Sequence, residues 1–307
     1  MRMLVVGAGS TGGYFGGRLL EAGRDVTFLV RSARKARLQA EGLRIISPFG
    51  DATLKPRFVT TDEIDGPFDV VLLTVKAYSL ESAMEDFAPA VGDGTMILPF
   101  LNGMRHMDVL GKRFGPAAPI GCTCHIFASL DEEGRIVQHN RLQDVAYGEL
   151  DGSITPRIEA LDAFMRAGTF GTRLSRHIGR RMWEKWSLLA TLGSANALAR
   201  GSVGDIEATP GGTDFVLRLL GEVVSVARTV GSAPSDAFLD SARAALTSKG
   251  SPLTSSMYRD LLAENAVEAE QIVGDLLARG AKAGLDLPLL AAAFVNLSVY
   301  QNRRAAG

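Results

Sequence analysis

The hexapeptide Gly7-Ala8-Gly9-Ser10-Thr11-Gly12 stands between an apolar run at residues 3–6 and a helical pattern from about residue 11 to 22. In a strand–turn–helix setting the first glycine permits a tight turn. The second lets the backbone approach a pyrophosphate, and the third lets helix and strand pack closely. The helix start adds unpaired N–H groups and the positive end of a dipole, which suit phosphate oxygens. The next strand, residues 25–30, ends in Arg31 and Ser32, where an NAD-selective site carries an acid for the ribose 2′-hydroxyl. A guanidinium there can bind a 2′-phosphate in a bidentate fork, so the expected cofactor is NADPH. An exposed loop arginine is the plainer alternative.

Four further stretches carry reactive types. Lys76 closes the run at residues 70–75, and Asn102-Gly103 follows the run at 95–100. Ligands of open α/β sheets sit at the carboxyl ends of strands, so both can face one. They fit a solvated lysine and an ordinary N-G turn equally well. In Trp183-Glu184-Lys185-Trp186, indoles can desolvate an ammonium and favour proton donation, although on residues alone a lysine lying along apolar surface fits better. Ser255-Ser256-Met257 and, twelve positions after Ser256, Glu268 are the last candidates. Spacing alone favours caps for both: Ser256 as an N-cap, and Asn265 with Glu268 as a capping box opening the next helix. One continuous helix would hold Ser256 and Glu268 about 18 Å apart, so they can share a small substrate only if the chain breaks between them. A cap at Asn265 is such a break.

The elements that must position these residues divide at about residue 178. Before it, short apolar runs at 3–6, 25–30, 70–75, 95–100 and 120–128 alternate with helical patterns, as in a doubly wound parallel sheet. Residues 134–137 and 144–148 read as antiparallel additions at its edge. Beyond the basic stretch GTRLSRHIGRR, strand signals give way to helices expected at 181–199, 213–230, 266–283 and 287–303. Domains 1–178 and 179–307 follow. Cys122 and Cys124, two apart on a strand, read as core thiols rather than metal ligands. A net charge of −1 gives no global field for nucleic acid or an anionic membrane. No apolar run approaches the 18 or so residues of a membrane span, and the N-terminus has no signal-like segment, so a cytoplasmic protein is expected. The apolar last helix can serve a homodimer or the core.

Taken in order, the N-terminal GxGxxG, Arg31, V-K at Lys76, N-G at Asn102, W-x-K at Lys185, S-S-M at Ser256 and the acid at Glu268 resemble the ketopantoate reductase (2-dehydropantoate 2-reductase) family along nearly the whole chain. The resemblance implies a Rossmann-type domain, an all-α C-terminal domain like that of 6-phosphogluconate dehydrogenase, and NADPH-dependent reduction of a 2-oxo acid, as in pantothenate biosynthesis. It implies Lys185 as proton donor and Glu268 as the group holding the substrate hydroxyl and orienting the lysine. Ser256 falls on the carboxylate, Asn102 on nicotinamide and substrate, and Lys76 on cofactor and carbonyl.

Departures bear on the substrate. The family pattern has asparagines four and eight residues after the lysine and another before a Gly-acid pair; here those positions are Leu189, Gly193 and Val203, and Leu101 replaces the usual Gln before N-G. Positions 185, 189 and 193 share a helix face, so that stripe has become apolar. Asn196 is on nearly the same bearing but about 16 Å further along, a poor substitute. The pattern suits a less hydroxylated or bulkier 2-oxo acid. A related β-hydroxyacid, glycerol-phosphate or opine dehydrogenase and a non-catalytic NADP-binding regulator are the other readings. W-E-K-W in place of G-x-x-x-K-N argues against the first two.

Overall fold

The computed structural model describes residues 1–306. They form two compact units: Met1–Leu101 with His106–Ile178, and Asn102–Arg105 with the chain from residue 179 onward. The first contains β1 (Arg2–Val6), α1 (Ser10–Glu21), β2 (Asp25–Leu29), α2 (Ser32–Glu41), β3 (Leu43–Ile46), β4 (Ala52–Leu54), β5 (Arg57–Val59), β6 (Val70–Leu73), α3 (Leu80–Phe87), β7 (Met96–Pro99), α4 (Arg105–Phe114), β8 (Gly121–Leu130), β9 (Ile136–Gly148), α5 (Pro156–Met165) and β10 (Gly171–Leu174).

Strands β5-β2-β1-β6-β7 make one parallel sheet, with Val5 opposite Phe28 on one side and Leu72 on the other. Both faces are buried, which is why β1 and β6 are unbroken apolar runs. Met3, Val5, Val70 and Leu72 enter one core; Leu4, Val6, Val71 and Leu73 enter the other. Helix α1 is glycine-rich on its inner faces because space there is short. A methyl at Gly16 would lie 2.8 Å from Phe28 of β2, and one at Gly17 would lie 2.7 Å from Ile45 of β3.

That second contact belongs to a separate sheet, β10-β9-β3-β4, with β8 antiparallel to β9. Here the structure corrects the sequence reading. Ile120, beside a parallel bridge from Pro119 to Ile97, bonds to β7, but residues 121–128 belong to this second sheet, and 136–137 and 144–148 are parts of one strand of 13 residues. Beyond Thr123, β8 alternates half-buried and exposed residues, as a sheet with one wet face does. The polar middle of β9 hides its continuity, yet Gln138 and Gln143 are buried there. Ser47 donates to Gln138 Oε1 at 2.6 Å, and Gln143 Nε2 donates to the Thr169 carbonyl at 2.9 Å. Of the two thiols, Cys122 is buried and donates to the Pro99 carbonyl, and Cys124 is half-buried.

The second unit is helical: α6 (Ile178–Ala199), α7 (Val203–Glu207), α8 (Gly212–Val230), α9 (Asp236–Leu246), α10 (Ser256–Leu262), a π-turn (Glu270–Gly274) running into α11 (Asp275–Lys282), and α12 (Pro288–Ala306). Trp186, Leu219, Val223, Ile272, Val273, Leu290 and Leu297 are at the centre of its core. Glu222 of α8 accepts from the Leu289 and Leu290 amides at 3.0 and 2.9 Å, satisfying donors that the start of α12 would otherwise leave open. None of the described helices is long and apolar enough to cross a membrane.

Both expected caps move. Ser255, not Ser256, caps α10, accepting from the Tyr258 amide at 3.0 Å, and Ser256 is the first helical residue. Asn265 opens no helix. Glu264 takes a left-handed backbone (φ 57°), and the Asn265 amide returns to the Asp260 carbonyl at 2.8 Å. That is a Schellman closure of α10, so Asn265 belongs to the end of one helix rather than the start of the next. The break between Ser256 and Glu268 therefore exists, made by the earlier helix.

Candidate functional site

The glycine turn is built by a backbone requirement and a packing requirement. Gly7 has φ +96°, a region L side chains avoid. Gly12 has no room for a methyl, which would lie 2.2 Å from Thr74 Oγ1 and 2.3 Å from the Gly7 carbonyl. Thr74, just past β6, donates to the Val6 and Gly7 carbonyls at 2.9 and 3.2 Å and so pins the turn. Sequence reasoning passed over Thr74, although a lone hydroxyl in the apolar run VVLLTV was its signal. Gly9 differs: no atom lies within 4 Å of where its Cβ would be. It stands at the start of α1, which has no side-chain cap and no acid in its first turn. Open space over an uncapped helix start fits a dinucleotide pyrophosphate. Ala8 is buried, whereas Ser10 and Thr11 begin the helix half-exposed.

Arg31 is exposed at the start of α2, whose first turn also lacks an acid. Beside it Lys35 pairs with Glu63, holding that carboxyl down to about 2. Arg34 reaches the Gly134 carbonyl at 3.4 Å, and burial, then Arg37, pulls its pKa below the ordinary arginine value. Lys76 is exposed two residues after Thr74.

Asn102, Lys185, Ser256 and Glu268 come from four separate stretches, and all belong to the helical unit. Helix α6 carries Lys185 and holds the stretches of Ser256 and Glu268. Lys185 is half-buried, and the next residue, Trp186, is 1% exposed and donates its indole N–H to the Ile272 carbonyl of the π-turn at 2.8 Å. Three turns on, Asn196 Oδ1 accepts from the Ser255 amide at 2.9 Å, while its Nδ2 donates to the Gly201 carbonyl at 2.7 Å. Asn196 is thus committed to holding the backbone. Gly193 makes room for Met257, since a methyl there would lie 2.6 Å from Met257 Cε. The start of α10, with Ser256, and the segment from Glu268 are therefore fastened to one helix about 15 Å apart along it.

Glu268 is 8% exposed just before the π-turn, and its carbonyl accepts from the Ile272 amide at 3.0 Å. Gln271, which sequence reasoning missed, donates Nε2 to the Asn102 carbonyl at 2.9 Å. Arg259, one turn after Ser256, was missed too. It is half-buried, donates to the Thr254 carbonyl at 2.7 Å, and burial lowers its pKa against the opposing pull of Asp260. Of the substituted positions, Leu189 is half-exposed on the Lys185 face. Val203 is 1% exposed in the core, its amide bonded to the Leu253 carbonyl at 3.0 Å.

Residues 3–152 match the family model described as Ketopantoate reductase PanE/ApbA, and residues 177–301 match Ketopantoate reductase PanE/ApbA C terminal. The chain is 35% identical to the protein named uncharacterized oxidoreductase YkpB of Bacillus subtilis (strain 168), covering 98% of this chain and 99% of that one. It is 26% identical to a 2-dehydropantoate 2-reductase of Mesorhizobium japonicum, over 75% of this chain and 77% of the relative. Among solved structures, 2-dehydropantoate 2-reductase from Geobacter metallireducens GS-15 superposes with a TM-score of 0.87 at 28% identity, covering 97% and 99% of the two chains. With a parallel-sheet Rossmann-type unit, an all-α unit and family matches on both, the chain belongs to the ketopantoate reductase family of oxidoreductases.

Proposed function

We propose that this chain reduces a 2-oxo acid to the 2-hydroxy acid with NADPH, the named reaction being 2-dehydropantoate (ketopantoate) to pantoate, as in pantothenate biosynthesis. The observation that carries the reading is the Gln271–Asn102 hydrogen bond, which ties Asn102 to the segment beginning at Glu268 although 169 residues separate the bonded pair. Gly7, Gly9 and Gly12 with the start of α1 hold the pyrophosphate, Arg31 the 2′-phosphate, and Lys76 the neighbouring cofactor atoms. When bound, the reduced nicotinamide supplies a hydride to the substrate's carbonyl carbon. The Lys185 ammonium stabilises the charge that develops on the carbonyl oxygen and gives it a proton, completing the alcohol. Glu268 accepts from the substrate hydroxyl and orients Lys185, Ser256 binds the carboxylate, and Asn102 fixes the reacting geometry.

A second reading keeps this chemistry and changes the substrate to a less hydroxylated 2-oxo acid. Leu189 on the Lys185 face, and Met257 in the space beside Gly193, favour it: hydrocarbon there offers a substrate hydroxyl no partner. The test is NADPH oxidation with ketopantoate, 3-methyl-2-oxobutanoate and larger 2-oxo acids, on wild type and Lys185→Ala. Binding of NADPH without turnover of any 2-oxo acid refutes the reductase and leaves a non-catalytic NADP-binding regulator. Preference for an acid without hydroxyls replaces ketopantoate as the substrate.

A further inference from the structure

The π-turn Glu270–Gly274 bonds to two of the stretches that carry candidate residues, the one at Trp186 and the one at Asn102. Insertion of an extra residue per turn splays helix carbonyls toward other donors, and such turns gather at functional positions. Here the Ile272 carbonyl receives the indole N–H of Trp186, the residue after Lys185. The Gln271 carbonyl packs so close to Gly103 that a methyl there would lie 2.6 Å from it. Gly103 itself has φ +79°, so the turn needs glycine for both its shape and its contact. The Gln271 side chain, 5% exposed, then donates to the Asn102 carbonyl at 2.9 Å. At the rim Arg105 pairs with Glu270 at 3.7 Å, and Met104 packs on the helical core. Asn102–Arg105 thus belongs to the helical unit.

We infer that Gln271 is a positioning residue. It clamps the Asn102–Arg105 turn to the π-turn, so that Asn102 is held in fixed register with Glu268 and with the Lys185 end of α6. The kinetic consequence rests on the reading that Asn102 and Glu268 meet the substrate; the clamp itself does not. Gln271 is buried and its bond to the half-exposed Asn102 joins two segments far apart in sequence, so its loss loosens the turn, and a reacting geometry tolerates little drift.

The test uses the full-length protein in two arms. In the first, hydrogen–deuterium exchange of the peptide spanning residues 100–105 is compared between wild type and Gln271→Ala, with exchange in the strands of the first unit as the folding control. The expected result is faster uptake in that peptide alone; equal uptake overturns the clamp. In the second, Gln271→Glu keeps the shape but turns the donor into an acceptor facing the Asn102 carbonyl. Its kcat/KM for the 2-oxo acid is expected to fall about ten-fold at pH 8, with NADPH affinity changed less than about three-fold. Protonation restores the donor, so the variant-to-wild-type ratio of kcat/KM should climb several-fold as pH drops from 8 to 5. A ratio flat with pH, or kinetics equal to wild type despite faster exchange, overturns the positioning role. A wild type that reduces no 2-oxo acid overturns the functional reading together with the kinetic role, and the exchange comparison still decides the clamp.

Discussion

Gly9→Ala should fold as well as the wild type and bind NADPH poorly, whereas Gly12→Ala should lose stability of the fold itself. The backbone at Gly9 (φ −83°, ψ −167°) is open to alanine, and no atom lies within 4 Å of the new methyl. Losing a glycine stiffens the unfolded chain by about 0.4–1 kcal/mol in favour of folding. Alanine is a poorer N-cap than glycine by about the same amount, so the net change stays within about 1 kcal/mol. At Gly12 the methyl meets Thr74 Oγ1 at 2.2 Å and the Gly7 carbonyl at 2.3 Å, against an ordinary contact of 3.4–4 Å. Thr74 can turn aside only by giving up its bonds to Val6 and Gly7, at about 0.5–1.5 kcal/mol each. The carbonyl can move only with the whole turn, which adds an overpacking cost of about 1–3 kcal/mol. Gly12→Ala is therefore expected to lose about 3 kcal/mol, or about 6–12 °C in the melting of the first unit.

For cofactor binding Gly9 is the more sensitive of the two positions. A methyl at Gly9 occupies the space through which the backbone approaches the pyrophosphate, removing one charge-assisted contact of about 1.5–3 kcal/mol. NADPH affinity should drop roughly ten- to a hundred-fold, measured by titration calorimetry beside thermal melts of the same samples. A folded Gly9→Ala protein that binds NADPH within two-fold of wild type refutes the assignment of this turn to the pyrophosphate.

Four other outcomes are expected. Lys185→Ala should lower kcat for the 2-oxo acid by about 10²–10⁴-fold, with NADPH affinity unchanged in a direct titration. Arg31→Asp should weaken NADPH at least ten-fold more than NADH; equal losses for the two cofactors exclude the 2′-phosphate role. Leu189→Asn should raise kcat/KM for ketopantoate relative to 3-methyl-2-oxobutanoate by roughly ten-fold, read from competition between the two acids. Arg157, then Thr155, bonds the buried Glu149 and holds its carboxyl below the usual carboxylate range. Because that pKa is lowered by folding, the stabilisation is complete above the unfolded value of about 4.3 and disappears as pH falls through the folded one. Urea melts of Glu149→Gln should accordingly show about 2 kcal/mol less stability at pH 7, the worth of a hydrogen bond to a charged group, and a shallower loss than wild type below pH 4.

Residues whose roles depend on near neighbours were readable from the chain. The run at residues 3–6, the glycines after it and the helix that follows are fixed by burial on both faces and by backbone geometry within a dozen residues. The polar middle of β9 makes it look like two fragments in the sequence, and only the distant partners Ser47 and Thr169 make buried glutamines tolerable there. Asn265 is ambiguous in the sequence for the opposite reason. Two local rules, a Schellman end and an N-cap start, compete for the same asparagine, and the left-handed Glu264 decides between them. Gln271 was hidden on both counts, since its bond to Asn102 spans 169 residues and starts from a π-turn that no helical period announces. Yet one side of that contact was local. An N-G pair reads as a free turn only if nothing lies where the glycine's Cβ would point, and at Gly103 a backbone carbonyl does. A glycine needed for shape and for contact at once marks a place where two distant segments must meet, and here one of them runs on directly from Glu268.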